Sequence, residues 1–155
     1  MPFDAAFLAR FRRATAVVLV CYWLAMFLGT HWPNFSLQGY PQHTDKVLHF
    51  SAYGGLAFLL ALWLWLKQAD PASRRPGHLL IERGPLRAGL WIMGLIVVYS
   101  IFDEVSQIPV GRDCDYKDAL ADWVGGIIGL SAFAVCRPVL DRAIAGRVPG
   151  STKSE

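Results

Sequence analysis

Charged residues are scarce in this chain of 155 residues: only 17% of them are Asp, Glu, Lys or Arg, against roughly a quarter in an ordinary soluble domain. Hydrophobic residues make up 54% of the chain instead. A small soluble monomer has too little interior to bury so much apolar surface. The composition therefore excludes a disordered chain, a collagen and a small soluble protein, and the length predicts a single domain over residues 1–155.

Cysteine is also rare, with three residues at Cys21, Cys114 and Cys136. An odd number at these spacings supports neither a disulfide framework nor a zinc site. The common short motifs of catalysis are absent as well: there is no serine in a nucleophile elbow, no HExxH sequence and no phosphate-binding loop. From motifs we therefore expect no cofactor and no metal site, and enzymatic activity is left open.

The chain does contain four long apolar blocks. They cover Ala14–Thr30, Val47–Leu66, Leu86–Phe102 and Ala119–Val135. Each approaches the ~20 residues that an α-helix needs to cross a bilayer. With their polar ends included, the blocks predict helices over about residues 14–30, 47–66, 86–105 and 119–136. The expected fold is all-α, a polytopic membrane protein built as a four-helix transmembrane bundle.

Basic residues are divided unevenly among the segments between these blocks. Twelve of the fifteen Lys and Arg lie before the first block, between the second block and Arg87 at the start of the third, or after the fourth. The other two connections hold only Lys46, Arg112 and Lys117. By the positive-inside rule, both termini and the middle loop face the cytoplasm. Because these basic residues are topology signals, we expect no nucleic-acid partner, and the sequence does not indicate the oligomeric state.

Small residues recur at every fourth position of the last block, at Ala121, Gly125 and Gly129. Such a stripe lets the backbone of another helix approach closely. We therefore expect the fourth helix to pack along this stripe against a neighbouring helix.

Carboxylates cluster at the opposite membrane surface from the basic flanks. Seven of the twelve Asp and Glu lie at the outer ends of helices two, three and four or in the loop that joins the last two. Asp45 and His49 are four residues apart and so share a helix face, and Asp118 and Asp122 repeat this spacing. Ionisable groups at membrane depth cost at least ~2.5 kcal/mol each, so they normally face the protein interior and pair. The candidate ligand-binding residues are Asp45, Lys46, His49, Tyr53, Asp103, Glu104, Gln107, Arg112, Asp118 and Asp122.

Three short sequences resemble the signature of the VanZ-like family of bacterial membrane proteins. They are DKVLHFSAY from residue 45, DEVSQ from residue 103 and DALADWVG from residue 118, and the resemblance covers residues 45–130. It implies a multi-pass protein of the bacterial inner (cytoplasmic) membrane with a role in the cell envelope, and it implies no particular reaction. The family is named for a protein associated with glycopeptide resistance, and only this name implies a connection of the chain with antibiotic resistance. Many relatives have Asn at the position of Asp122, so this chain carries an additional carboxylate there.

Two mechanisms fit the cluster. In the first, it binds an amphiphile of the outer leaflet, such as a cell-envelope lipid or a lipoglycopeptide, with Lys46 and Arg112 engaging a phosphate or carboxylate. In the second, the protein is a membrane-surface hydrolase or transferase acting on a lipid-linked substrate. His49 or Glu104 would then be the general acid or base, and Asp45 would orient His49.

Two further possibilities remain open from the residues. A divalent cation held by Asp103, Glu104 and Asp118 would serve either mechanism. Alternatively, the charged residues only cap helices and set the topology, in which case the protein is a structural or interaction subunit.

Overall fold

The computed structural model describes residues 5–32, 44–69, 84–111 and 114–145, and these residues form a four-helix bundle. The helices are α1 (Ala5–Thr30), α2 (Thr44–Ala69), α3 (Pro85–Gln107) and α4 (Tyr116–Ala145), with a 3-10 turn at Ile108–Val110. All four helices are long and apolar enough to cross a membrane. The described residues contain no strand, so the predicted all-α, polytopic membrane fold is confirmed.

The helices extend beyond the apolar blocks that predicted them. The clearest case is α4, which continues through Pro138 to Ala145, although a proline removes one backbone donor from a helix. Asp141 supports this last part: its Oδ1 accepts the indole N–H of Trp65 at 2.8 Å, and its Oδ2 lies 3.4 Å from Nε of Arg137. The apolar block therefore predicts the membrane-spanning part of α4 but not its last turns, which make these polar contacts.

α2 and α4 lie side by side and run in the same direction. Near their starts, Lys46 of α2 pairs with Asp118 of α4, and near their ends Trp65 of α2 pairs with Asp141 of α4. The parallel arrangement therefore places polar side chains of the two helices opposite each other at both ends.

Two glycines of α4 bring its backbone into close contact with α2. A Cβ atom on Gly125 would overlap the carbonyl oxygen of Phe50, and one on Gly129 would overlap the carbonyl oxygen of Gly54. A side chain at either position would therefore separate the helices. The expected packing of the fourth helix along its small residues is confirmed at these two positions, and the neighbouring helix is α2.

α3 and α1 complete the bundle through polar contacts. α3 runs antiparallel to α4, and the indole N–H of Trp123 donates to Ser100 Oγ across their interface at 2.7 Å. α1 packs against α2, where the hydroxyl of Tyr22 donates to the carbonyl oxygen of Ala52 at 2.9 Å. The membrane-spanning part of α1 is the least buried of the four.

The two ends of the bundle differ in charge. We call the end formed by the starts of α2 and α4 and by the end of α3 the acidic end. Its carboxylates are Asp45, Asp103, Glu104, Asp115, Asp118 and Asp122. We call the opposite end the basic end, where α2 and α4 finish and α3 begins. Its basic residues include Lys67, Arg87, Arg137 and Arg142.

Candidate functional site

The outermost layer of the acidic end is an ion-pair group between α2 and the start of α4. Nζ of Lys46 lies 3.0 Å from Asp115 Oδ2 and 2.7 Å from Asp118 Oδ1. The other oxygen of Asp115 accepts the backbone N–H of Lys117 at 2.9 Å. This backbone hydrogen bond, with a smaller contribution from Lys46, holds the pKa of Asp115 below its usual range. The ammonium group of Lys46 is therefore already neutralised by carboxylates of the protein.

About one turn deeper, His49 of α2 meets Asp122 of α4. His49 Nδ1 and Asp122 Oδ1 are 3.0 Å apart, and the two side chains are 4% and 0% exposed. The parallel register of the helices sets this pair, since the step from Lys46 to His49 on α2 and the step from Asp118 to Asp122 on α4 each advance by about one helical turn. The structure thus places Asp122 at His49 Nδ1. Asp45, which the spacing within α2 predicts to orient His49, offers a ligand atom within 4.8 Å of one on the imidazole.

Asp103 connects α3 to α1. Thr30 Oγ1 donates to Asp103 Oδ1 at 3.0 Å, and Gln107 Nε2 donates to Asp103 Oδ2 at 3.1 Å. His31, just after α1, places its Nε2 at 2.8 Å from Ser106 Oγ on α3. Thr30, His31 and Ser106 are not among the candidate residues predicted from the sequence. Thr30 and His31 are polar residues at the end of the first apolar block, and this position indicates that they lie at the same membrane surface as the carboxylates.

Three buried oxygens of the cluster have no hydrogen-bond partner among the described residues: Glu104 Oε1, Asp122 Oδ2 and Tyr53 Oη. The second oxygen of Glu104 accepts the backbone N–H of Asp115 at 3.0 Å. Leaving a buried polar atom without a partner costs about 1–3 kcal/mol. Such atoms are therefore uncommon in native proteins, and they indicate positions where a ligand, an ion or ordered water can bind.

The cluster also contains residues with the spacing of metal ligands. His49, Glu104 and Asp122 each offer one ligand atom, and these atoms all lie within 4.8 Å of one another. A second group with this property combines His49 with Asp45 and Asp118. Neither group is the trio of carboxylates that the sequence suggested for a divalent cation.

The structure brings together nearly all the candidate residues. Arg112 lies outside the described residues. The remaining candidates all lie at the acidic end, and they are Asp45, Lys46, His49, Tyr53, Asp103, Glu104, Gln107, Asp118 and Asp122. Of these, Tyr53, His49, Asp103, Glu104, Gln107, Asp118 and Asp122 are buried.

Among the described residues, apolar grooves lie on the surface of the bundle between the membrane-spanning helices. One, of about 530 Å³, is at the basic end between α2, α3 and α4, far from the carboxylates of the acidic end, and Arg137 is among its lining residues. The smaller, about 240 Å³, lies between α1, α2 and α3 and reaches Tyr99. The ring of Tyr99 is 5.8 Å from that of Tyr53, and Asp103 follows it by one turn on α3. The smaller groove therefore ends beside the polar cluster.

The fold and the cluster together define a class, a four-helix membrane protein with buried polar side chains at one end of the bundle. The family model described as VanZ/LLP1 matches residues 4–137, and the chain belongs to this family. The match includes α1 and most of α4, so it extends beyond residues 45–130, where the resemblance was recognised. Neither the curated proteins nor the solved structures contain a match to the chain.

Proposed function

We propose that the protein binds a lipid of the bacterial cell envelope at the acidic end, and that the headgroup of this lipid donates hydrogen bonds through amine or hydroxyl groups. The observation that carries the proposal is the pair of unpartnered carboxylate oxygens, Glu104 Oε1 and Asp122 Oδ2, inside membrane-spanning helices. An ionised carboxylate only accepts hydrogen bonds, so the complementary headgroup is a donor. A lipoglycopeptide carries amines and sugar hydroxyls and has the same complementarity.

In this proposal the acidic end lies at the extracytoplasmic surface of the inner membrane, and both termini are cytoplasmic. The supporting observation is the position of the basic residues, since the described helices carry Lys67, Arg87 and Arg137 at the opposite end. Basic residues are enriched on the cytoplasmic side of membrane proteins. The bound lipid would therefore come from the outer leaflet.

The smaller groove supports a ligand with a hydrocarbon chain. It lies on the surface that faces the membrane, its lining is almost entirely apolar, and Tyr99 closes it beside the polar cluster. An acyl chain in this groove would bring a headgroup to the side of the polar cluster where Tyr53 Oη has no hydrogen-bond partner among the described residues. Because Lys46 is engaged by two carboxylates, the acceptor oxygens and not this lysine would select the headgroup.

The test compares two lipids that differ only in headgroup donors. Purified protein in detergent is mixed with equal amounts of phosphatidylethanolamine and phosphatidylcholine of identical acyl chains, and retained lipid is measured by native mass spectrometry. We expect at least about tenfold preference for phosphatidylethanolamine, whose ammonium group donates hydrogen bonds, because hydrogen bonds to charged groups are each worth about 1.5–3 kcal/mol. Glu104→Gln, which removes a charge without changing shape, should reduce this preference.

Asp141→Asn is the matched control, because Asp141 is a carboxylate at the basic end that contacts Trp65. It should leave the lipid preference unchanged. Equal retention of the two lipids by the wild-type protein would contradict the proposed function. Unselective retention combined with a loss of thermal stability in Glu104→Gln would favour a structural role for the cluster.

A hydrolase or transferase acting on the same lipid is the second candidate, and the His49–Asp122 pair favours it. A carboxylate that accepts a hydrogen bond from Nδ1–H orients the imidazole and leaves the other ring nitrogen to exchange a proton with a substrate. Chromatography of radiolabelled phosphatidylethanolamine after incubation with the protein separates this candidate from simple binding. Products that form with the wild-type protein and are lost in His49→Gln would support it, and products that persist would contradict it.

A further inference from the structure

We propose that His49, Glu104 and Asp122 bind one divalent transition-metal cation, of the Zn²⁺ or Mn²⁺ type, between α2, α3 and α4. Each of these residues comes from a different one of the three helices. Their ligand atoms lie within 4.8 Å of one another. Bonds from such a cation to nitrogen and oxygen are about 2.0–2.2 Å long, so ligands on opposite sides of it are separated by roughly 4 Å. Small rotations of the side chains would bring the three ligands to that separation.

The carboxylate oxygens that would bind the cation are available. Glu104 Oε1 and Asp122 Oδ2 are buried and have no hydrogen-bond partner among the described residues, and the two residues are 4% and 0% exposed. The other oxygen of Glu104 accepts the backbone N–H of Asp115, a contact of the kind that orients metal ligands in proteins. The other oxygen of Asp122 lies 3.0 Å from His49 Nδ1, and in the cation site this nitrogen would carry no proton and would bind the cation in place of that contact.

The charge of the cluster favours a divalent cation. Within the described residues, no lysine or arginine pairs with Glu104 or Asp122, because Lys46 is taken by Asp115 and Asp118. Two carboxylates buried in membrane-spanning helices are costly unless their charge is compensated. One divalent cation would compensate both.

The donor set determines the class of cation. An imidazole nitrogen combined with carboxylate oxygens suits Zn²⁺, Mn²⁺ or Fe²⁺, whereas Mg²⁺ and Ca²⁺ prefer sites built from oxygen alone. These three ligands differ from the carboxylates Asp103, Glu104 and Asp118 that the sequence suggested for a divalent cation. Both oxygens of Asp103 accept hydrogen bonds from Thr30 and Gln107, so Asp103 has no carboxylate oxygen left unbonded.

The experiment uses the full chain, purified in maltoside detergent without added lipid, stripped with a chelator and then titrated with Mn²⁺. Electron paramagnetic resonance measures the free Mn²⁺, and competition with Zn²⁺ gives the relative affinity. We expect one equivalent of bound Mn²⁺ in the wild-type protein. Glu104→Gln and Asp122→Asn should each lower the affinity for Mn²⁺ at least tenfold. Loss of a residue that only supports a metal ligand already lowers metal affinity by about 10–100-fold, and these variants would remove a ligand itself. Asp141→Asn, at the basic end, should bind as the wild-type protein does.

A second measurement needs no variant and therefore stands even if a substitution prevents folding. Pulsed electron paramagnetic resonance of the bound Mn²⁺ should show coupling to an imidazole ¹⁴N nucleus, which His49 supplies. Binding without this coupling, binding unaffected by both carboxylate variants, or no binding by the wild-type protein would each overturn the proposal. The cation would occupy Glu104 Oε1 and Asp122 Oδ2, the oxygens that the proposed headgroup contacts, so the two ligands would compete there. Because no lipid is present, this assay measures binding of the cation alone.

Discussion

Two tyrosines of the bundle differ in whether the hydroxyl group has a hydrogen-bond partner. The hydroxyl of Tyr22 donates a hydrogen bond to the carbonyl oxygen of Ala52, which attaches α1 to α2. The hydroxyl of Tyr53 is fully buried and has no partner among the described residues. The first hydroxyl thus joins two helices, whereas the second is at a position where a ligand or ordered water can bind.

Replacing each tyrosine by phenylalanine separates these two roles. Tyr22→Phe should lower the free energy of unfolding by about 1 kcal/mol, because it removes a hydrogen bond. Tyr53→Phe should leave stability unchanged or raise it slightly, because it removes a buried polar atom without a partner. Thermal unfolding of the two variants in the same detergent checks this, and a larger loss for Tyr53→Phe would show that its hydroxyl has a structural partner.

Single residues also show where the sequence was informative. The four-residue spacing of Asp45 and His49 predicts that they share a face of α2, and in the structure ligand atoms of both approach Asp118, because helix geometry is local. The partner of His49 was not predictable in the same way. It depends on the register between α2 and α4, which are separated by more than forty residues in the sequence and meet only in the folded bundle.

At the scale of whole helices, the contact between α2 and α4 is formed by backbone atoms. Gly125 and Gly129 face the carbonyl groups of Phe50 and Gly54 so closely that a Cβ atom would overlap them. Backbones cannot move aside as flexible side chains can. The same contact fixes the depth at which His49 meets Asp122.

Gly125→Ala and Gly129→Ala should therefore each reduce the yield of folded protein in detergent and weaken binding at the acidic end. Gly94→Ala is the matched control, since nothing lies within 4 Å of a Cβ atom at this position of α3. It should be neutral or stabilising, by up to about 1 kcal/mol, because alanine favours helix. Size-exclusion chromatography and thermal unfolding provide the comparison. Equal behaviour of all three variants would show that α2 and α4 do not rely on this close approach.

The helices themselves were predictable because membrane spans have a strong compositional signal. The predicted spans fall within α1 to α4, and only the ends differ. α4 passes Pro138 because polar contacts of Asp141 with Trp65 and Arg137 support its last turns, and hydropathy carries no information about such contacts. The contribution of α1 to the cluster, through Thr30, was also missed, because a lone threonine at a helix end is common.

For the whole molecule, the separation of acidic and basic ends predicts one orientation in the membrane. The positive-inside rule puts the basic end in the cytoplasm and Cys114, which is exposed between α3 and α4, outside. In intact cells, a membrane-impermeant maleimide should label Cys114 in a variant that lacks the other two cysteines. It should not label a variant whose single cysteine is introduced by Ser73→Cys, in the connection between α2 and α3. Labelling at position 73 in sealed cells would reverse the orientation.

The polar pairs between α2 and α4 join helices that are synthesised at different times, because α2 precedes α4 in the chain and enters the membrane first. During this interval Lys46 and His49 lack the carboxylates that they meet in the finished bundle, Asp118 and Asp122. A nascent chain that ends before α4 thus exposes ionisable groups of α2 to lipid, where they are costly. Arrival of the last helix supplies these carboxylates, so the ionisable groups of α2 become paired within the membrane only once α4 has been made.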